Sequence, residues 1–517
     1  MLSVLISVSD KTGIVDFARE LIVLGWNIIS TGVTAKFLKE QFIKCREIYE
    51  ITEFPEILNG RVKTLNPKIY GGILAIRNKE NHMKELEHHG IETIDMVVVN
   101  LYPFHKIINR NQKSKEKTLS KNVIENIDIG GVSLLRAAAK NYNDVIVICD
   151  IKDYKIVINS LKNNHFNNEL RLKLAAKAFR HTAYYDSLIS TYFTCEKFPK
   201  QMTIPLKKIS ELRYGENPHQ KAVLYSIGEI KKYNGVISAK QIYGKKLSYN
   251  NYLDLESGWC LISEFDNFAC AIIKHNNPSG CAESKSNLKD AYLKALSCDP
   301  ISAFGSVVIF NKFIDENLAM EIEKLFVECI IAPDYSHSAL NILMRKKNIR
   351  ILKQEILYKK FENSIEYKML SYGMLVQDKN NRILGEVENM TKRSPTIDEK
   401  EALYFALKIV KHVKSNAIVI ASGTMTVGIG TGQMSRIDSL KIAIRKMKEF
   451  YKSEHFSHLV LASDAFLTFP DIIEESAKIG ITAIIQPGGS IRDKELIKIA
   501  NDKNIAMIAT KVRHFKH

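Results

Sequence analysis

Short apolar runs alternate with amphipathic stretches along the chain. The first run, Leu2 to Ser7, is followed by a polar turn, Ser-Asp-Lys-Thr-Gly at 9–13, and then by apolar residues at helical spacing from Ile14 to Leu24. A second run, Asn27 to Ser30, ends in Thr-Gly-Val-Thr at 31–34 and again gives way to a helix, so the opening reads βαβα. Met96 to Val99 and Val145 to Cys149 are continuously apolar, the pattern of strands buried on both faces of a parallel sheet. Arg171 to Phe193 is helical by period, contains no Gly or Pro, and closes a first domain. The segment 196–210, with two prolines and weak periodicity, predicts a boundary, giving domains at 1–198 and 199–517. Beyond it, strands are predicted at 271–273, 305–310, 417–420, 458–461 and 481–485 with helices between them, a second and larger α/β unit. A polar-to-apolar change at Ser371 is a candidate division into two lobes near 370, and no exact short repeat is visible.

A chain of 517 residues exceeds the size of a single core, so two or three domains are expected. The formal charge of +17 raises a nucleic-acid surface as one reading. The excess is spread as single lysines, and clusters such as Arg345, Lys346 and Lys347 do not line up with aromatic stacking positions, so no specific nucleic-acid partner is expected. Eight solitary cysteines, with no CxxC pair and no His at metal-ligand spacing, suit a reducing cytoplasm. No stretch reaches 18 apolar residues, and the N-terminus has no basic segment ahead of its apolar run, so it reads as a strand rather than a signal peptide or membrane span.

Several polar segments follow predicted strands, where open α/β sheets bind ligands. In Ser9, Lys11 and Thr12 the hydroxyls, an ammonium and the free N–H groups of a helix start can converge on an anion. Thr31, Gly32 and Thr34 repeat the arrangement at the next strand end; an ordinary capped turn reads the same way. Lys63, Tyr102, Asp128 and Lys140 lie in Arg-Val-Lys-Thr-Leu-Asn-Pro-Lys (61–68), Asn-Leu-Tyr-Pro-Phe (100–104), Asp-Ile-Gly-Gly (128–131) and Arg-Ala-Ala-Ala-Lys-Asn (136–141). Together they could steer proton transfers around an amide and a carbonyl, or be salt bridges and core hydroxyls.

The sharpest signal is Ala-Ile-Ile-Lys-His-Asn-Asn-Pro-Ser-Gly at 271–280, in which a buried strand delivers Lys274 and His275 and Asn-Pro-Ser-Gly turns the backbone. There His275 can take a proton from an attacking amine and Lys274 can stabilise an oxyanion. Ser-Ala-Phe-Gly, ending at Gly305, offers a close approach for a flat ring, and Asn416 offers an amide reader. A glycine-rich loop at 428–436 ends in Arg436, a residue suited to carboxylate or phosphate.

In this order these segments, with Arg-Tyr-Gly-Glu-Asn-Pro-His-Gln at 213–220, resemble over essentially the whole chain the bifunctional purine-biosynthesis family in which aminoimidazole carboxamide ribonucleotide (AICAR) formyltransferase is joined to inosine monophosphate (IMP) cyclohydrolase. The resemblance implies a cofactor-free N-terminal domain with a methylglyoxal-synthase-like α/β fold and a C-terminal duplicated cytidine-deaminase-like transformylase without the deaminase zinc. It implies that Ser9, Lys11, Thr12, Thr31, Gly32 and Thr34 bind phosphate and that Lys63, Tyr102, Asp128 and Lys140 act in ring closure. Lys274 and His275 become the catalytic pair of formyl transfer. Arg213, Tyr214, Asn416, Arg436, Arg513 and Phe515 become nucleotide-site residues, and Gly305 and Glu328 belong to the folate side. The co-substrate is 10-formyltetrahydrofolate, the intermediate is the formylated ribonucleotide FAICAR, no catalytic metal is expected, and the assembly is a homodimer. Val33 departs from the family's second glycine, where a Cβ would narrow the phosphate loop. Three other readings stand beside this one: a chain with only the transformylase active, an RNA-binding protein recognised by salt-dependent retention, and a zinc deaminase, which the missing ligands disfavour.

Overall fold

A computed structural model describes residues 2–104, 120–163, 166–228, 235–355, 365–451 and 456–517. The chain divides into two compact units, 1–207 with 227–229, and 208–226 with 230–517.

In the first unit, β1 (Ser3–Val8), β2 (Asn27–Ser30), β3 (Arg46–Glu47), β4 (Met96–Asn100) and β5 (Ile146–Ile148) form an all-parallel sheet in the order β3-β2-β1-β4-β5. Leu5, Ile6, Val97 and Val98 are fully buried because helices cover both faces, which is why these runs are apolar without alternation. The Ile14–Val23 helix turns Ile14, Phe17, Ala18 and Leu21 inward, the spacing of one helical stripe. The chain leaves β1 for β2 on one side and later returns to β4 on the other, so the carboxyl end of β1 is the switch point where ligands of open sheets lie.

A two-stranded sheet, β6 (Leu206–Glu211) with β7 (Val223–Ile227), falls where the chain passes between units. The larger unit is built on twelve strands. The first half has β8 (Lys240–Tyr243), β9 (Phe268–Lys274), β10 (Asn277–Ser284), β11 (Ser306–Phe310), β12 (Val327–Ala332) and β13 (Arg350–Lys353). A separate hairpin, β14 (Ile365–Leu370) with β15 (Gly373–Asp378), precedes the second half. That half has β16 (Glu388–Asn389), β17 (Ile418–Ser422), β18 (Met425–Gly430), β19 (Leu459–Ser463), β20 (Ile481–Gln486) and β21 (Ala506–Ala509). The order is β16-β21-β20-β19-β17-β18-β10-β9-β11-β12-β13-β8, a palindrome of topology about the β18–β10 junction. Each half is an antiparallel hairpin (β9–β10, β17–β18), an antiparallel neighbour (β11, β19), two further parallel strands and an antiparallel edge strand (β8, β16), so the unit is an internal duplication. The halves join through the antiparallel pairing of Ala282 with Met425 into one sheet.

Two sequence expectations are corrected here. Asn277 to Gly280 do not form the turn after Lys274; they open β10, with a register shift between Pro278 and Gly280, and the turn is His275–Asn276. Nor are Gly428 and Gly430 part of a ligand loop, since both lie in β18. A Cβ on Gly430 would stand 1.8 Å from the Ser439 carbonyl oxygen and one on Gly428 2.3 Å from that of Ala443, both in the Arg436–Phe450 helix. Gly280 faces the Ala295 carbonyl oxygen of the Leu288–Ser297 helix in the same way, at 1.9 Å. These glycines let helix backbones lie directly on the central strands.

Gly280→Ala and Gly430→Ala are therefore expected to lose stability by about 1–3 kcal/mol or more, because the obstacle is backbone that cannot swing aside. Gly423→Ala, whose Cβ meets nothing but whose φ is +53°, should cost only about 1 kcal/mol. Urea unfolding of the three variants checks this ranking, and equal losses would contradict it.

Candidate active sites

Three strand ends of the first unit meet around β1. Lys11 donates to the Val8 carbonyl and, at 3.1 Å, to Thr34 Oγ1, which also accepts from the Val8 N–H at 3.3 Å. Thr31 Oγ1 donates to Ser7 Oγ at 2.9 Å, tying the second loop to the first. Asn100 Oδ1, at the end of β4, accepts from the N–H groups of Ser9 at 2.6 Å and Asp10 at 2.8 Å. Thr12 is held by Asp10, its Oγ1 donating to Oδ1 at 2.7 Å. Burial lowers the Lys11 ammonium's pKa despite the neighbouring Asp10, so it is a cation whose charge is incompletely compensated. The sequence reading missed Asn100; an Asn ending an apolar strand was its only signal.

The positive φ in the second loop belongs to Gly32, at 33°, while Val33 is 76% exposed in the first turn of the Gly32–Glu40 helix, so its side chain leaves the loop free. Lys63 Nζ lies 3.7 Å from where a Cβ on Gly32 would be, with the Glu56 carboxylate closer at 3.2 Å. Glu56 too was not anticipated. Asp128 accepts from the Gly131 N–H at 2.7 Å, while its own N–H donates to the Tyr185 hydroxyl at 2.9 Å. Burial raises its pKa, opposed by the Gly131 N–H, the Lys63 charge and the Tyr102 N–H, so Lys63, Tyr102 and Asp128 share one neighbourhood. Lys140 ends the Gly130–Lys140 helix, about 15 Å of helical rise from Gly130, and lines a cleft with Tyr70, Arg136, Leu172 and Phe179.

The second site lies at the end of β9. Lys274 Nζ donates to the carbonyls of Phe304 and Gly305, both at 2.9 Å. Gly305 has φ +66°, and a Cβ there would press to 3.3 Å from that ammonium nitrogen. Asn277 Oδ1 accepts from the Lys414 N–H at 2.9 Å and Thr431 Oγ1 at 2.7 Å, drawing the segments of Asn416 and Arg436 to the hairpin. The C-terminal segment joins them through Ser415 and Lys516, whose backbone N–H donates to Ser415 Oγ at 3.1 Å, which brings Arg513 and Phe515 alongside. The Arg513 guanidinium stacks on Phe515 at 4.4 Å and that of Arg213 on Tyr214 at 5.3 Å. Tyr214 meets the start of the Tyr249–Ile262 helix, its carbonyl accepting from the Tyr249 N–H at 3.4 Å. Glu328 Oε1 accepts from Asn251 Nδ2 at 3.1 Å and Arg350 at 3.3 Å.

Two residues are partly occupied. Asn416 Nδ2 donates to the carbonyls of Gln433 and Met434, leaving its amide oxygen for a ligand. Arg436 pairs with buried Asp464 at 2.8 Å. Asp464 and Asp254, the latter on the Tyr249–Ile262 helix, are site carboxylates that the sequence reading did not single out. Burial raises the Asp254 pKa against the Asn276 N–H and the charges of His275 and Lys274. Among the described residues no group of three His, Cys, Asp or Glu side chains is placed to hold a metal ion, and no helix is long and apolar enough to cross a membrane.

Known families match in two blocks. An MGS-like domain matches residues 13–133, and the AICARFT/IMPCHase bienzyme matches 138–446. The chain is 50% identical to the bifunctional purine biosynthesis protein PurH of Persephonella marina over 520 residues and to that of Caldicellulosiruptor saccharolyticus over 521. It is 48% identical to PurH of Aquifex aeolicus over 520 residues. Each alignment covers 99% of both chains.

Two stability effects follow from this geometry. Because the Asp128 pKa is raised on folding, the native state holds that proton more tightly than the unfolded chain, and stability falls as pH rises from the ordinary carboxylate range through the raised value. Asp128→Asn keeps the acceptor for Gly131 without that loss, so its melting temperature should exceed the parent's at neutral pH and converge with it in acid. A lower melting temperature at neutral pH would contradict this. Arg436→Ala strands the Asp464 carboxylate and should cost about 3–5 kcal/mol in urea unfolding; a loss below about 1 kcal/mol, as for a surface pair, would contradict the buried pairing.

Proposed function

The chain belongs to the AICARFT/IMPCHase bienzyme family, and we propose that its two strand-end sites divide the work, formyl transfer at Lys274 and His275 and ring closure at Lys63, Tyr102, Asp128 and Lys140. The enzyme carries AICAR transformylase and IMP cyclohydrolase activities in purine biosynthesis. The supporting observation is the Lys274–His275 corner, in which an ammonium fixed by two carbonyls ends the strand and the next residue, His275, opens the turn.

An ammonium has three donors, and the Phe304 and Gly305 carbonyls take two. The third polarises the formyl oxygen of 10-formyltetrahydrofolate and stabilises the oxyanion formed when the 5-amino nitrogen of AICAR attacks. His275 accepts the proton that nitrogen sheds and passes it to N10 as the bond from the formyl carbon to N10 breaks, so that tetrahydrofolate leaves with N10 protonated. The Asn416 amide oxygen receives a ligand N–H, Arg213, Tyr214, Arg436, Arg513 and Phe515 frame the nucleotide, and Gly305 and Glu328 border the folate.

In the other domain Ser9, Lys11, Thr12, Thr31, Gly32 and Thr34 hold the 5′-phosphate of FAICAR where helix N–H groups and a half-buried cation favour an anion. The carboxamide nitrogen attacks the formyl carbon and gives up one proton as the formyl oxygen becomes a hydroxyl; the formamide nitrogen gives up a second as that hydroxyl leaves as water and the ring C=N bond of IMP forms. Asp128, its pKa raised by burial, suits the proton-carrying role, with Lys63 steadying the oxyanion. Loss of water in this step draws the preceding transfer forward.

We further read the domains as 1–198 and 199–517, each half of the latter as cytidine-deaminase-like, and the active form as a cytoplasmic homodimer. Support comes from the duplicated topology, from eight free cysteines, and from the β14–β15 hairpin, which exposes Met369, Leu370, Tyr372 and Leu375 and is an element with little stability alone.

His275→Ala should lower tetrahydrofolate release from AICAR by about 10²–10⁴-fold while still cyclising supplied FAICAR. Lys63→Met should do the reverse and accumulate FAICAR. Chromatography of folate and nucleotide products separates the two. Undiminished tetrahydrofolate release by the His275 variant would overturn the assignment of the transformylase site.

A further inference from the structure

His275 occupies an unfavourable backbone position. Lys274 pairs with Asn277, so His275 and Asn276 form a two-residue hairpin turn, with φ of 51° and 63°. Turns with positive φ at both residues favour Asn-Gly, since a Cβ in the left-handed region costs roughly 1–2 kcal/mol per residue. Here neither residue is glycine. Such a turn persists when its surroundings over-determine it.

Those surroundings are specific. Asp254 and Ser257, three residues apart, share one face of the Tyr249–Ile262 helix. Asp254 Oδ1 accepts from the Asn276 N–H at 2.6 Å, and Ser257 Oγ donates to the Asn276 carbonyl at 3.0 Å. The remaining turn carbonyl, that of His275, accepts from Asn277 Nδ2 at 3.1 Å, and Asn277 is anchored to Lys414 and Thr431. Both backbone polar groups of Asn276 are thus gripped by one rigid helix, itself started by a reciprocal Ser248–Asn251 cap.

We propose that Asp254, seconded by Ser257, is a positioning residue for formyl transfer that acts through the backbone of Asn276 to hold the imidazole of His275 against the incoming amine. The inference rests on the reading of His275 as the proton acceptor. Asp254 touches no reacting atom in this scheme; its carboxylate fixes the origin of the His275 side chain relative to the Lys274 ammonium. A misplacement on the order of 1 Å at such a group lowers rate by about 10²-fold.

The test uses the full-length chain and compares Asp254→Ala, Asp254→Asn, Ser257→Ala and the double variant Asp254→Ala/Asn276→Gly. For each, kcat and KM for AICAR in formyl transfer are measured with the melting temperature, and cyclisation of supplied FAICAR serves as a control. Asp254→Ala should lower kcat by about 10- to 100-fold with KM changed less than about twofold, since binding contacts are untouched. Asp254→Asn, which keeps an acceptor oxygen, should recover to within about fivefold of the parent, the size of one ordinary hydrogen bond. Ser257→Ala should show a smaller fall in kcat. The double variant should regain most of the activity, because glycine takes the left-handed conformation unaided. Unchanged kcat in a folded Asp254→Ala variant would overturn the proposal. So would a double variant no better than Asp254→Ala, which would give the carboxylate a direct chemical part. Should His275→Ala itself transfer formyl normally, the site reading fails instead.

Discussion

The antiparallel contact of β10 with β18 is the constraint on which the larger unit depends. Two duplicated half-sheets meet there, and two helices lie on it so closely that the carbonyl oxygens of Ala295, Ser439 and Ala443 occupy the space of missing glycine side chains. Close packing of this kind leaves little freedom for sliding. The site inherits that rigidity, since β10 begins at Asn277, one residue after the turn, and β18 ends at Gly430, one residue before Thr431, which donates to the Asn277 side chain. A frame fixed at its centre can hold an imidazole in a backbone conformation that the residue would not choose.

The smaller unit solves a different problem with a simpler device. A parallel sheet directs all its strand ends to one edge, and reversal of strand order at β1 opens a crevice there. The loops after β1 and β2 are short, polar and cross-linked through Thr31, Thr34, Lys11 and Ser7, and Asn100 braces them from β4. A half-buried cation beside helix N–H groups suits a phosphate, while a carboxylate whose burial favours the protonated form suits the exchange of protons with a neutral ring system.

Much of this was legible from residue pattern alone. Strands buried on both faces announce themselves as continuous apolar runs, and the positions of β1, β2, β4, β5, β9, β11, β17, β19 and β20 were anticipated to within a few residues. What was misread shares one cause. β10 and β18 contain Pro, Ser, Thr and Gly because helix backbone packs on them, so locally they look like turns or a ligand loop, and only their tertiary neighbours reveal strands. The duplication leaves no short repeat in the sequence because topology is kept while side chains diverge. Asp254 is one of two carboxylates in its helix, and its importance arises from a turn distant in sequence. Val33 looked like a threat to the phosphate loop until its exposed position was known.

The most direct test of the account is a time course with wild-type chain, AICAR and 10-formyltetrahydrofolate, following tetrahydrofolate, FAICAR and IMP by chromatography. Two competent sites on one chain predict IMP formed in step with tetrahydrofolate, with FAICAR only as a transient. Tetrahydrofolate release with FAICAR accumulating and no IMP would contradict an active ring-closing site, and no tetrahydrofolate release from folded enzyme would contradict the account as a whole.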